Sequence, residues 1–213
     1  IFSENEVRAH RPSGSSDGAG GGFQYGPDRV WILFNHIYDC EVGIGSGSES
    51  GPMGDGTGRE VFVIGNSIHD IHRSSGGTST DPWRLGAAIR WTDESANHVV
   101  LHNTIYGVDI GMSVVRGRGA LTVANNIFAG VGEDHILVED AASTVGGSIL
   151  ASIFEPAARV RWGTAAPLGL AVLRAASPGF CAGCLDADPL FTNAAAGDFT
   201  LRVASPAIDA ADL

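Results

Sequence analysis

The chain has 213 residues, of which 24 are acidic and 13 basic, giving a formal charge of −11; every basic residue is Arg, 30 residues are Gly, and 44% are apolar. Those figures exclude a disordered tail and a coiled coil, and allow one domain with a sizeable core of elongated or turn-rich β type. They also argue against nucleic acid as a partner, because that affinity comes from neutralising phosphates, and no apolar run of about 18 residues is present to form a membrane span.

The chain opens Ile1-Phe2-Ser3-Glu4, without an initiator Met, a basic segment or an apolar signal stretch. It therefore reads as a mature or excised piece, with any export signal removed upstream. A short motif, Asn-x-Ile or Asn-x-Val, first occurs at Asn5-Glu6-Val7. The run Val30-Trp31-Ile32-Leu33-Phe34 then leads into Asn35-His36-Ile37, and Val61-Phe62-Val63-Ile64-Gly65 into Asn66-Ser67-Ile68. Val99-Val100-Leu101-His102 precedes Asn103-Thr104-Ile105, Leu121-Thr122-Val123-Ala124 precedes Asn125-Asn126-Ile127, and a degenerate copy stands at Gly147-Ser148-Ile149. Each run has strand composition.

The intervals between these anchors are 30, 31, 37, 22 and 22 residues. They are too short for a strand–helix–strand unit, and no apolar period of 3.6 residues lies between the strands. Stacking one short parallel strand on the next, about 4.8 Å higher, buries an apolar side of every one. That predicts an all-β parallel β-helix solenoid of about six or more coils, with a β-sandwich as the alternative. The recurring Asn is assigned to the bend after each strand, where it tolerates unusual backbone angles and its amide can bond to the coils above and below as a ladder. Residues 1–153 read as regular coils and 154–213 as a C-terminal coil and cap, in one domain 1–213. Cys181 and Cys184 are spaced for a local bridge or half a zinc site, and Cys40 is left over.

The Asn-x-Ile turns, the run Val30 to Tyr38, and a tail reading Asp188-Pro189-Leu190-Phe191, Gly197-Asp198-Phe199-Thr200-Leu201 and Ser205-Pro206-Ala207-Ile208-Asp209 resemble the right-handed parallel β-helix proteins of the pectate-lyase-like superfamily, including many secreted bacterial members. The resemblance spans essentially the full chain and implies an extracellular, right-handed parallel β-helix. It implies architecture, and among activities it points to polysaccharide lyases as well as to hydrolases, epimerases, adhesins and tailspikes. Many lyases of this fold use Lys or Arg as the base; Lys is absent, so an Arg, His or Tyr has to serve. The hydrolase signatures are missing, since Asn103-Thr104 is followed by Ile105.

Extra residues accumulate at Arg11–Gly22, Ser46–Arg59 and Arg73–Gly86, predicting loops stacked on one side of the first three coils as a binding surface. Columns follow from the anchors. One position after them come Glu6, His36, Ser67, Thr104, Asn126 and Ser148, read as outward. Three after come Arg8, Tyr38, His69, Tyr106, Phe128 and Leu150. Four after, Asp39 and Asp70 are vertical neighbours; strand geometry would set their carboxylates about 5 Å apart, raising one pKa or holding a cation such as calcium. His10, His72, Arg73 and Arg84 lie nearby in sequence.

These residues predict a site for an extended, acidic polysaccharide. His36, Tyr38, His69 and Arg8 are the candidate catalytic set for proton transfer in β-elimination. Glu6, His72, Arg73, Trp83, Arg84 and Tyr106 are candidates for holding sugar through ring stacking and carboxylate pairing. Asp39 and Asp70 are candidate calcium ligands. The competing reading is a non-catalytic surface, adhesion or filament protein, self-associating through an uncapped N-terminal end.

Positions two and four before each anchor, Trp31 with Leu33, Phe62 with Ile64, Val99 with Leu101 and Leu121 with Val123, are assigned to the core. That leaves Val30, Ile32, Phe34, Val61 and Val63 as a bare apolar face needing a cover. His98 and His102 are placed on one strand face as a stacked surface pair.

Overall fold

The protein is described from a computed structural model covering residues 1–11, 18–23, 27–46, 59–73, 85–92, 96–117, 119–177 and 179–211. Three parallel sheets are wound by one repeating path. The first contains Phe2–Ser3, Trp31–Leu33, Phe62–Ile64, Val99–Leu101, Thr122–Ala124 and Ser148–Leu150. The second contains Glu6–Arg8, His36–Cys40, Ser67–Ile71, Thr104–Val108, Ile127–Val131, Ile153–Phe154 and Leu185–Asp186. The third contains Ala19–Phe23, Val42–Ser46, Ala87–Thr92, Ile110–Val115, Ile136–Val138 and Val160–Trp162. Each coil visits the sheets in this order and each strand pairs with the equivalent strand of the next coil, so the fold is a parallel β-helix. A sandwich is excluded because no antiparallel ladder joins these strands. Among the described residues no helix is long and apolar enough to cross a membrane.

The Asn ladder is real. Asn5 N–H donates to Asn35 Oδ1 at 3.0 Å, and Asn35 to Asn66, Asn66 to Asn103 and Asn103 to Asn126 follow at 2.9 Å each. The fifth member is Asn126 rather than Asn125, and Ser152 Oγ takes the sixth place, accepting Asn126 N–H at 3.2 Å. Ser148 belongs to the first sheet beside Thr122, so the copy at Gly147-Ser148-Ile149 is the strand before the turn, not the turn. The unusual backbone angle falls on the residue ahead of the ladder: φ is +53° at Phe34, +68° at Gly65, +54° at His102, +55° at Asn125 and +40° at Ala151. That left-handed residue makes the bend, and the following Asn, pointing inward, ties the coils together.

The bend also shifts the inward phase. Ile32, Val63, Val100, Val123 and Ile149, three positions before each true anchor, are almost fully buried, whereas Trp31 is 37% and Phe34 61% exposed. The expected core positions of the first three of these runs are therefore off by one residue, which turns every side chain over. Inside, Ile37, Ile68, Ile105, Phe128 and Phe154 stack with Ile44, Ile89, Met112 and Ile136 in one continuous core.

Residues 12–17, 47–58 and 74–84 of the inserted segments lie outside the described residues, and the flanking strands show that the segments are not all inserted at the same corner of the coil. Arg11–Gly22 and Arg73–Gly86 leave between the second and third sheets, while Ser46–Arg59 leaves between the third sheet and the next coil's first. Part of the first is not a loop at all: Ala19–Phe23 is a strand in which Gly20 and Gly22 are required by packing, since a Cβ on Gly22 would lie 2.3 Å from Gly45 O and one on Gly20 2.6 Å from the Ile37 side chain. Gly-rich composition hid it. At the C-terminal end, helix Leu170–Ala176 puts Leu170 and Leu173 against the core together with Cys181 and Cys184, which form a disulfide. The remaining tail does not lie only over the last coil. It forms an antiparallel hairpin, Phe191–Asn193 with Asp198–Leu201, that reaches back along the outer face of the second sheet.

Candidate functional site

Outward positions of the second sheet form two vertical columns. Pairing runs Glu6, His36, Ser67, Thr104 in one and Arg8, Tyr38, His69, Tyr106, Ala129 in the other. Parallel stacking thus brings together groups about thirty residues apart, at the strand spacing of about 4.8 Å. The expected tail of each column, Asn126 and Ser148 in one and Phe128 and Leu150 in the other, is replaced because the anchor shifts to Asn126; Phe128 is a core residue.

Two hydrogen-bonded chains meet at Tyr38 and His36. In the first, Tyr38 donates its hydroxyl to Glu6 Oε1 at 2.7 Å and accepts from Arg8 Nη1 at 3.2 Å, with the guanidinium 6.0 Å from the Tyr38 ring centre. The Tyr38 hydroxyl holds the Glu6 carboxyl below its usual range, and the same bond raises the Tyr38 pKa, because the phenolate would lose the proton it shares. In the second, Asp70 Oδ2 is 2.7 Å from His69 Nδ1, and His69 Nε2 is 2.8 Å from His36 Nε2. A carboxylate accepts only, so His69 Nδ1 carries hydrogen toward Asp70. One hydrogen then lies between the two Nε2 atoms.

Burial lowers the His36 pKa, aided by the neighbouring His69 and opposed by Glu6, so His36 stays neutral to lower pH than a free imidazole. With neutral rings, His69 Nε2 accepts from His36 Nε2–H, which puts the His36 lone pair on Nδ1. Tyr38 and His69 stack face to face with centroids 5.0 Å apart and planes 1° apart. His69 is only 6% exposed, because Phe199 packs edge-on against it at 5.1 Å.

The other candidates fall elsewhere. Asp39 and Asp70 occupy left-handed backbone, φ +54° and +52°, in a bulge continued by Gly107 and Gly130. The strand geometry expected for them does not hold, and each carboxylate has its own partner: Arg11 for Asp39, His69 for Asp70. Among the described residues no third His, Cys, Asp or Glu joins them in a metal-sized group, so this pair does not by itself supply the six to eight oxygens of a calcium shell. His72 and Arg73 form a separate cluster one turn away, His72 Nδ1 lying 2.8 Å from Asp109 Oδ1 and Arg73 Nη2 donating to Glu133 Oε2 at 3.0 Å. Tyr106 lies under the tail, against Phe191 at 6.1 Å and Phe199 at 5.5 Å. Trp83 and Arg84 lie outside the described residues.

His98 and His102 do not form a surface pair. His102 is the exposed left-handed turn residue, while His98 is buried, stacked on Trp91 at 4.5 Å, its Nδ1 accepting Val61 N–H at 3.4 Å. Sequence reasoning missed the aromatic tail as part of this region. Phe191 and Phe199 were visible, and only their partners were not.

No family model, no curated protein and no solved structure matches this chain. The fold and the site therefore define it as a parallel β-helix protein with a polar and aromatic cluster on one outer sheet face.

Proposed function

We propose that this is an extracellular, carbohydrate-active β-helix protein of the pectate-lyase-like kind, binding an acidic polysaccharide across the outer face of the second sheet and cleaving it by β-elimination. The observation that carries the reading is the Asp70–His69–His36 chain ending at a half-buried imidazole beside Tyr38 and Arg8. Arg8 pairs with the uronate carboxylate and so acidifies the C5 proton. His36 takes that proton on Nδ1, where no described residue competes for the lone pair. The C–H electron pair becomes the C4–C5 double bond, and the departing O4 receives the Tyr38 hydroxyl proton. His69 and Asp70 position His36; Glu6 positions Tyr38.

The test is ultraviolet absorbance of the unsaturated product on a panel of uronate polymers, with and without calcium. Activity lost in His36→Ala and Tyr38→Phe but retained in Asp39→Ala supports the assignment. No absorbance rise on any polymer, together with unchanged glycan binding in His36→Ala and His69→Ala, rejects it.

A second reading, a non-catalytic surface or filament protein, is favoured by one observation. The first sheet's strands contain no charged residue, and Trp31 stacks on Phe62 at 4.1 Å on its outer face. Concentration-dependent assembly in sizing experiments, abolished by Trp31→Glu, supports that reading over the first.

A further inference from the structure

We propose that the hollow between the second sheet and the root of the C-terminal hairpin binds a single uncharged pyranose ring, at a place separate from the His36–Tyr38 cluster. The hollow encloses about 350 Å³ and its walls include Tyr106, Ala129, Glu155, Asp188, Phe191 and Arg202. That volume sits at the small end of ligand sites, enough for one ring rather than a chain.

Its origin is a change of side-chain size in one column. Tyr38, His69 and Tyr106 fill the outward position in three successive coils, and the next rung carries Ala129. The missing ring leaves a cleft that the hairpin roofs instead of fills. Tyr106 and Phe191, at 85° to one another, make two apolar walls suited to the C–H faces of a sugar.

The polar groups are fixed on the protein side and unspent on the other. Glu155 Oε1 accepts Val131 N–H at 2.9 Å, and Asp188 Oδ1 accepts Leu190 N–H at 2.8 Å. Among the described residues the second oxygen of each carboxylate has no hydrogen-bond partner, so each of these two lining residues keeps an acceptor available for a hydroxyl donor. Arg202 is anchored by Nη2 on Thr192 O at 3.1 Å and pairs with no described carboxylate, leaving guanidinium donors for a ring or hydroxyl oxygen. Two carboxylates against one guanidinium give the lining a net negative charge. It therefore disfavours a uronate, opposite in preference to the Arg8 site, and takes a neutral hexose or N-acetylhexosamine.

The experiment is an amide NMR titration of the intact chain with the methyl glycosides of glucose, galactose, mannose and N-acetylglucosamine, and with methyl glucuronide as the charged counterpart. At least one neutral glycoside is expected to shift the amides of Ala129, Glu155, Ala194 and Arg202 saturably, with a dissociation constant on the order of millimolar. Glu155→Gln, which keeps the Val131 bond, and Ala194→Trp, which fills the mouth from the hairpin's short 3-10 turn, should each weaken binding at least tenfold with the fold intact by amide dispersion. His36→Ala should leave it unchanged, so the outcome is independent of the elimination reading. The proposal is overturned by saturable shifts with none of the neutral glycosides, by equal affinity for the glucuronide, or by binding that survives Ala194→Trp.

Discussion

Asn66 lies in the middle of the ladder and carries more of it than any end member. Its Oδ1 accepts from both the backbone N–H and the Nδ2 of Asn35 at 2.9 Å, and its Nδ2 donates to Ile32 O at 3.0 Å and to Asn103 Oδ1 at 2.9 Å. Asn66→Ala removes four bonds from a site that is 1% exposed and leaves the Asn35 N–H buried without a partner, while the Ile32 carbonyl keeps only its sheet bond. Each net bond contributes about 1 kcal/mol, and each orphaned buried group costs about 1–3 kcal/mol; because these overlap, the loss is about 4 kcal/mol. In a domain of this size that lowers Tm by about 8–16 °C. Asn5→Ala removes a side chain bonded to Ser3 O and Asn35 Oδ1 at an exposed edge, where water replaces the partners, and should cost under about 1 kcal/mol. Urea unfolding of the two variants and the parent measures the difference. Losses equal within about 0.5 kcal/mol would refute the claim that the buried amides stabilise the stack.

Burial pushes the His98 pKa down to about 3, so the unfolded chain takes up that proton first as pH falls. The contribution of neutral His98 is complete above about pH 6.5 and is lost progressively toward pH 3, about 3 kcal/mol being gone by pH 4.5; His98→Gln should flatten the slope of unfolding free energy against pH in that window, and an unchanged slope would place the acid sensitivity elsewhere. Phe199→Ala removes ring contacts to His69, Tyr106 and Phe191, which at roughly 0.5–1.5 kcal/mol each hold the hairpin down. Hydrogen exchange across 191–201 should speed at least tenfold and His69 should become open to acylation, whereas unchanged protection would mean the hairpin is held by its other contacts. In Tyr38→Phe the Glu6 carboxyl loses the bond that lowers its pKa and should titrate at higher pH by carbon-detected NMR; no upward movement would show that Arg8, not Tyr38, sets it.

The chain's own residues were enough to determine the solenoid. Asn35, Asn66 and Asn103 recur behind β-rich runs because each coil needs an amide at the same corner, and a constraint repeated in every coil writes itself into the sequence. The same columns placed Arg8, Tyr38 and His69 over one another correctly. Phase was harder to read. A left-handed residue at Phe34, Gly65 or His102 interrupts the alternation of the strand, so counting from the anchor put Trp31 inside and Ile32 outside, and the adjacent asparagines 125 and 126 offered two anchors where the backbone uses one.

Two features belonged to tertiary structure alone. Ala19–Phe23 has the composition of a loop and becomes a strand because Gly43 and Gly45 approach it too closely for side chains. Phe191 and Phe199 lie over a hundred residues beyond His69, with no periodicity linking them. Only the return of the tail along the second sheet buries that imidazole and leaves a roofed hollow over Ala129, because contacts made once, at long sequence separation, leave no repeat to be read.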